Sequence, residues 1–351
     1  MRKIKVGVLG ATGTVGQRFV ELLEKHPFFE LSEVCASEKS SGKTYLEAVR
    51  EKWKIKAEIP ERIAALEVKD CSPKGLDCEI AFSALDSNVA GQIEENFANA
   101  GFAVSSNSKN HRMDADVPLL VPEVNHEHLE IINAQKERRN SEGFIITNPN
   151  CSTAGLVIPL KPLDDSFRLD KVHVVTMQAL SGAGYPGNSA IDLIDNVYPF
   201  ISGEEEKMET EPQKILGKLN GASVKNAAFK VSAQCNRVFV SDGHFECVTV
   251  ELEKKPSIEE IIECFEAFNP LKNFNLPSKP EKPIIVMKEK DRPQPRLDRD
   301  KGDGMSVCVG RIKESKTMHY SFNLLSHNTL RGAAMSSILN VELLAEKGFL
   351  K

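Results

Sequence analysis

The sequence lacks most of the features that would announce a function directly. Its eight cysteines, at 35, 71, 78, 151, 235, 247, 264 and 308, form no CxxC pair. Most of them therefore read as reduced, buried thiols. Neither sign of charge is in large excess: 45 Lys and Arg against 50 Asp and Glu leave a net charge of −5, which offers nothing to attract nucleic acid. No long hydrophobic run is present. The opening "MRKIKVGVLG" has a short positive lead and one strand's length of apolar residues before glycine and charge intervene, so neither a signal peptide nor a membrane helix is expected. A cytoplasmic protein is the expectation. There is no internal repeat or low-complexity tract. The pair of histidines in "NHEHLE" (Asn125 to Glu130) stand at i and i+2, which point apart on a helix, so no metal site is expected.

What is present is an alternation. Five short runs end in turn formers: "IKVGVLG" from Ile4, "LSEVCAS" from Leu31, "CEIAFSAL" from Cys78, "FAVSSNS" from Phe102 and "GFIITNP" from Gly143. Their β-branched content predicts buried parallel strands. The intervening "QRFVELLEKH", "NVAGQIEENFANAG" and "HEHLEIINAQKERR" have apolar residues three and four apart and predict helices. The first half is thus an α/β, doubly wound, Rossmann-type dinucleotide-binding domain. From about Asn150 longer strands with clear alternation predict a second, α+β domain on a largely antiparallel sheet. The tail "TLRGAAMSSILNVELLAEKG" returns to the amphipathic style and is expected to pack on the first domain. The expected division is 1–149 plus 329–351, and 150–328, which is consistent with 351 residues being too many for one core. The segment Asn269 to Gly304, with six prolines and dense mixed charge, reads as a surface excursion and a plausible subunit contact.

Between the first strand and first helix, "GVLGATGTVGQRF" spaces Gly10, Gly13 and Gly16 as GxxGxxG. In this context it is a dinucleotide fingerprint: Gly10 for the tight turn, Gly13 for approach of a phosphate, and Gly16 for close packing of helix on strand. Backbone N–H groups at the helix start face the pyrophosphate, with Thr12, Thr14 and Val15 in the same loop. Beyond the second strand, Ser37, Lys39 and Ser40 suit a 2′-phosphate and favour NADP, whereas Glu38, one residue away, would suit the free ribose of NAD.

In "TNPNCSTAG", Cys151 stands between a turn and a predicted helix start. Unpaired N–H groups and the helix dipole there are expected to lower its pKa toward neutrality, and Asn150 is placed to offer an amide to an oxyanion. His244, after a Ser-Asp-Gly turn, is the most suggestive proton partner among eight histidines. Arg237, seven residues upstream, has the chemistry to grip a carboxylate.

The ordered set "GVLGATGTVGQRF", "SNSKNHRMDADVPLLVPEVN", "TNPNCST", "QALSGAGYPG", "EEEKMETEPQKILGKL", "CNRVFVSDGH", "PQPRLDRDKGDGMSVCVGRI" and "NTLRGAA" resembles the aspartate-β-semialdehyde dehydrogenases, most closely their archaeal and fungal branch. The resemblance implies a second domain like that of glyceraldehyde-3-phosphate dehydrogenase and a homodimer or homotetramer. It also implies NADP-dependent interconversion of L-aspartate-4-semialdehyde plus phosphate and L-4-aspartyl phosphate, a step toward lysine, threonine and methionine. Carried over, Cys151 is the nucleophile, His244 the acid/base, Gln178 the residue positioning the acyl group and Arg237 the carboxylate ligand. Glu211 and Lys214 match the pair for the substrate amino group and phosphate, and Arg112, with Asn107 and Lys109 near it, matches a phosphate site. Ser181, Gly182, Gly184 and Asn328 match positions near the nicotinamide. Two other readings share these features: a malonyl-CoA or succinyl-CoA reductase on the same scaffold, and a non-catalytic NADP-binding redox sensor that uses Cys151 as its switch.

Overall fold

The structure, a computed structural model, describes residues 3–350; Met1 and Arg2 of the positive lead, and Lys351, lie outside the described residues. Six strands form the first sheet: β1 (Ile4–Leu9), β2 (Phe29–Ala36), β3 (Val68–Asp70), β4 (Ile80–Ser83), β5 (Ala103–Ser106) and β6 (Phe144–Thr147). Their order is β3-β2-β1-β4-β5-β6 and every pairing is parallel. Every residue of β4, β5 and β6 is buried, as a sheet covered on both faces requires. Helices α1 (Thr14–Leu23), α2 (Ser87–Asn99) and α3 (Ile131–Arg139) belong to its crossovers. Strand order reverses between β1 and β4, and a crevice opens there beyond the carboxyl ends of the strands. Strand β3 has only three residues, too few for a period-two pattern to show in the sequence.

The chain leaves β6 directly into α4 (Cys151–Phe167) and then builds a second sheet. In chain order its strands are β7 (Leu169–Gln178), β10 (Lys230–Arg237), β11 (His244–Leu252), β12 (Ile284–Met287), β13 (Val307–Glu314) and β14 (Tyr320–Ser326). Helix α5 (Glu204–Ile215) and a small hairpin, β8 (Lys218–Asn220) and β9 (Ser223–Lys225), separate β7 from β10, and α6 (Ile258–Ala267) precedes β12. The order is β10-β7-β11-β14-β13-β12. The three central pairings are antiparallel, but the outer β10–β7 and β12–β13 pairings are parallel, so the sheet is mixed at its edges. Long connections through α5 and through the proline-rich segment permit those parallel returns.

That segment is also more than a surface excursion. It carries the edge strand β12, sends Leu271 and Leu276 into the first core, and buries Asp298 against Arg292 and the Gln294 N–H. Helix α7 (Ala334–Glu346) packs on the first sheet, where Ile338, Leu339 and Leu343 join a core with Phe19 and Phe29. Its Glu342 accepts from His26 Nε2 at 2.8 Å and from the Ser278 N–H, tying α7 to both the first unit and the proline-rich segment. Among the described residues no helix is long and apolar enough to cross a membrane.

Candidate active site

Strand register assembles the site. Gln178 ends β7 opposite Arg237, which ends β10, and His244 begins β11 beside them. Three side chains from three strands thus emerge at one corner of the second sheet. Helix α4 runs beneath this corner and presents Cys151 at its first position. Cys151 Sγ lies 3.1 Å from His244 Nε2. His244 Nδ1 accepts the Ala179 N–H at 3.0 Å, while the Ala179 carbonyl accepts from Arg237 Nη1 at 2.7 Å. Two glycines make the close approach possible. A Cβ on Gly182 would stand 2.9 Å from Arg237 Nη1, and one on Gly332 would stand 2.7 Å from Cys151 Cβ.

The expectation of a low thiol pKa is corrected here. Burial, reinforced by the Glu204 carboxylate, pushes the Cys151 thiol up to about 12, against the opposing pull of Arg237, Arg112 and Lys207. The helix start does not compensate, because Asn150 Oδ1 caps it and takes the Ser152 and Thr153 N–H groups at 3.0 and 3.3 Å. Asn150 has other partners than an oxyanion: its Nδ2 donates to Glu204 Oε1 at 2.7 Å and its backbone N–H donates to Glu211 Oε2 at 2.7 Å. Burial likewise pulls the His244 imidazole down to about 3, so the pair rests as neutral thiol and neutral imidazole.

This depression has a consequence for stability. The unfolded chain takes up a proton on this histidine at about pH 6.5 while the folded chain does not. The contribution is therefore fully present above that pH and is lost as pH falls toward about 3. Between about pH 7.5 and about pH 5, the wild type is expected to lose about 2 kcal/mol more than His244→Gln. Urea unfolding of both proteins at the two pH values measures it.

The structure separates two Glu-x-x-Lys pairs on α5. Lys214 does not reach the cleft: its ammonium donates to the carbonyls of Arg112, Asp114 and Val117 at 2.7, 2.7 and 2.9 Å. Burial draws its pKa down to about 8, still protonated at neutrality. Glu211 bonds Arg112 Nη1 at 2.9 Å and the Asn150 N–H, a strut between a cleft arginine and the cap of the nucleophile's helix. Seven residues earlier, two turns up the same face, Glu204 and Lys207 line the cleft instead. Glu204 Oε1 accepts from Asn150 Nδ2 and, at 3.1 Å, from Gln178 Nε2, and its Oε2 meets Lys207 Nζ at 3.0 Å. Burial opposes the Glu204 charge most, yet Lys207, Asn150 and Gln178 together hold it below the usual carboxylate range. The sequence reading missed this pair. Its one local signal was Gly203 before it, which adopts φ +64° and starts the helix at the cleft.

Cys151, Arg237, Arg112, Asn107, Lys109, Glu204 and Lys207 all line one open cleft of about 720 Å³. Arg112 and Arg237 each keep a buried Nε–H without a hydrogen-bond partner among the described residues. Thr14, Val15, Ser181, Gly182, Gly184 and Asn328 line its other end. Asn328 closes that end by donating to Ser181 Oγ at 2.8 Å and accepting the Gly243 N–H at 2.9 Å.

The glycine loop fits a dinucleotide on its own geometry. Gly10 has φ +77°, and a Cβ on Gly16 would fall 2.2 Å from the Gly10 carbonyl. Helix α1 begins at Gly13 with no side-chain cap, so its N–H groups stay open. Thr12 lies in the same turn, its carbonyl held by Gln17 Nε2. Ser37, Lys39 and Ser40 form the turn after β2, outside the lining of the main cleft; Lys39 and Ser40 border a separate basic hollow with Lys43. His128, from the paired histidines, is buried and bonds Asn125 and the Gly217 carbonyl.

Two family models match the chain: the semialdehyde dehydrogenase NAD binding domain over residues 5–132 and the semialdehyde dehydrogenase dimerisation domain over residues 160–331. The aspartate-semialdehyde dehydrogenase of Archaeoglobus fulgidus is 52% identical over 345 residues, covering 98% of this chain and 99% of that one. The chain belongs to the aspartate-semialdehyde dehydrogenase family. A Candida albicans aspartate-semialdehyde dehydrogenase is 46% identical over 363 residues, covering 99% of each chain. The crystal structure of the Candida albicans enzyme with NADP superposes with a TM-score of 0.91 at 44% identity, over 99% of this chain and 100% of that chain. That of Vibrio cholerae aspartate semialdehyde dehydrogenase II complexed with ASA gives 0.76 at 27% identity, over 98% and 99%. The two matched domains are joined in one chain, and the cleft described above is lined from both matched regions.

Proposed function

We propose that this chain interconverts L-aspartate-4-semialdehyde plus phosphate and L-4-aspartyl phosphate with NADP, through a thioester on Cys151. The observation that carries the reading is the Cys151–His244 contact at 3.1 Å, with Cys151 lining a cleft that Arg112 and Arg237 also line. In the reductive direction Cys151 attacks the acyl carbon and phosphate departs, dividing one displacement into two easier steps. When bound, NADPH supplies the hydride that reduces the thioester. Arg237 binds the substrate carboxylate and so fixes the acyl carbon near sulfur, where positioning contributes most. Arg112, Lys109, Lys207 and Asn107 receive the phosphate, and Glu204 takes the ammonium in place of Glu211. Gln178 and Asn150 hold Glu204, and so act by position.

Gly10 to Gly16 cradle the pyrophosphate, Ser37, Lys39 and Ser40 the 2′-phosphate, and Ser181, Gly182, Gly184 and Asn328 the nicotinamide end. We assign residues 1–149 with 329–351 to cofactor binding and 150–328 to catalysis and subunit contact, in a cytoplasmic homodimer or homotetramer. The alternative of a CoA-ester reductase is not favoured, since the relatives that match over nearly the full chain are aspartate-semialdehyde dehydrogenases. A sensor would need no carboxylate clamp.

The reading is tested by following NADPH formation from aspartate semialdehyde with and without phosphate, beside NADPH oxidation by malonyl-CoA and succinyl-CoA. Phosphate-dependent NADPH formation is expected; comparable rates with a CoA ester would displace the proposal. Within the site, Lys207→Ala is expected to raise the KM for phosphate about 10- to 100-fold, the loss of one hydrogen bond to a charged group. Lys214→Met is expected to lower the unfolding midpoint instead, because three carbonyls, those of Arg112 and Val117 in buried bonds, lose their donor. Phosphate KM values and urea midpoints for both variants check this, and the opposite pattern would restore Lys214 to the substrate site.

A further inference from the structure

We propose that Glu94 is a positioning residue for phosphate: from helix α2 it holds the root of the loop 107–114 and so sets where Lys109 and Arg112 stand in the cleft. The inference rests on the activity proposed above. Glu94 does not line the cleft, and its side chain is fully buried. Its Oε1 accepts from Ser83 Oγ at 2.6 Å and from Ser106 Oγ at 2.8 Å, the hydroxyls of the last residues of β4 and β5. One atom thus joins two neighbouring strand ends.

From that atom two chains of hydrogen bonds run into the loop. Ser106 Oγ, with its proton committed to Glu94, accepts the Ser108 N–H at 3.0 Å. The Ser83 carbonyl accepts the Asn107 N–H at 3.0 Å and Asn107 Nδ2 at 3.2 Å. The Asn107 carbonyl in turn accepts from Arg112 Nη2 at 2.8 Å, which brings the second chain to a guanidinium of the cleft.

The same face of α2 carries the middle of the loop. Ser87, Gly91 and Glu94 recur four and three residues apart, a single stripe of a helix. The Ser87 carbonyl accepts from Asn110 Nδ2 at 3.0 Å, and the Gly91 carbonyl lies 3.3 Å from His111 Nε2. A Cβ at position 91 would stand 3.0 Å from Asn110 Nδ2, so glycine permits this approach. Lys109 and Arg112, on either side of those two residues, line the cleft.

A carboxyl group is a costly way to fill this space. Burial raises the Glu94 pKa against the pull of Ser83, Ser106, His111 and Arg112. Its Oε2 has no hydrogen-bond partner among the described residues, and His111 Nε2 stands 3.8 Å away. An apolar side chain would pack here without that desolvation, so what the carboxyl contributes is the acceptor at Oε1.

The test measures kcat and the KM values for phosphate and semialdehyde in Glu94→Met, Glu94→Gln and Ser106→Ala, with the Kd for inorganic phosphate taken by calorimetry. Glu94→Met and Ser106→Ala are expected to raise phosphate KM and Kd about 10-fold, the weight of one hydrogen bond to a charged group, while kcat and semialdehyde KM stay within about threefold. Glu94→Gln keeps an oxygen for both serines and is expected to return phosphate KM to within about threefold of wild type. Because Glu94→Met and Ser106→Ala cut the same chain, the double variant should match the worse single one. Unchanged phosphate KM and Kd in Ser106→Ala, equal rises in both KM values, or multiplied effects in the double variant would overturn the proposal. Should Glu94→Met fail to fold, Ser106→Ala decides. If wild type shows no phosphate-dependent turnover but the variants lose phosphate affinity, the proposed activity fails and the role of Glu94 stands; wild-type turnover with unaltered phosphate affinity in the variants gives the reverse.

Discussion

Cys151→Ala is expected to lower kcat by at least about 10⁴-fold, as removal of a covalent nucleophile does elsewhere, while NADP binding changes little. The reason lies in how the site is divided. Cys151 stands at the start of α4 under the corner of the second sheet, whereas the dinucleotide loop of Gly10 to Gly16 belongs to β1 and α1. Among the described residues Cys151 Sγ has one hydrogen-bonding contact, with His244, and the cap of its helix is made by Asn150. Loss of the sulfur therefore removes the attacking atom and leaves the scaffold intact. Steady-state rates together with NADP titration by fluorescence measure both halves. Activity within tenfold of wild type would remove the thioester from the mechanism.

Glu123→Gln is expected to destabilise the fold by about 3–5 kcal/mol, the usual cost of stranding one member of a buried ion pair. Arg331 and Glu123 are both fully buried and meet in a two-pronged contact, Nη1 to Oε2 at 3.1 Å and Nη2 to Oε1 at 2.5 Å. Arg331 Nε also donates to the Met305 carbonyl at 2.8 Å. The pair joins the connection between β5 and β6 to the segment between Asn328 and α7, next to Gly332 and hence to Cys151. With glutamine at 123 the guanidinium keeps its charge in a dry site with no counter-charge. A fall in melting temperature of about 4–7 °C follows for a chain of this size. The double variant Glu123→Leu with Arg331→Met is expected to recover much of that loss, since it removes the charge along with its partner. Calorimetry of the three proteins decides; a single variant within about 1 kcal/mol of wild type would mean that the pair carries no such weight.

The parts of the fold that were legible from sequence are those set by short-range pattern. The short runs of β1, β4, β5 and β6 that end in turn formers, with helical patterns between them, and the GxxGxxG turn specify a covered parallel sheet with a loop at its switch point. Pattern cannot report what distant partners supply. Strand β12 was hidden among prolines because its pairing with β13 is made 23 residues further on. The lower thiol pKa inferred for Cys151 assumed open N–H groups, and Asn150, one residue away, closes them with its own side chain. The two Glu-x-x-Lys pairs of α5 have the same spacing and share a face, so only depth distinguishes them. Lys214 sinks into a cage of carbonyls contributed by residues 112 to 117, and Lys207 does not. Cys151, His244, Arg237 and Gln178 are brought together by strand ends and a helix start, as the order of motifs implied, though nothing in their spacing fixes the 3.1 Å contact.

The central claim is that the sulfur of Cys151 carries the acyl group between phosphate release and reduction. Mixing the enzyme with L-4-aspartyl phosphate in the absence of NADPH, quenching in acid and mapping the peptides by mass spectrometry tests it most directly. An aspartyl thioester on the peptide containing Cys151, discharged when NADPH is added before the quench, is the predicted result; turnover with no adduct on that peptide, or an adduct on another cysteine, would contradict it.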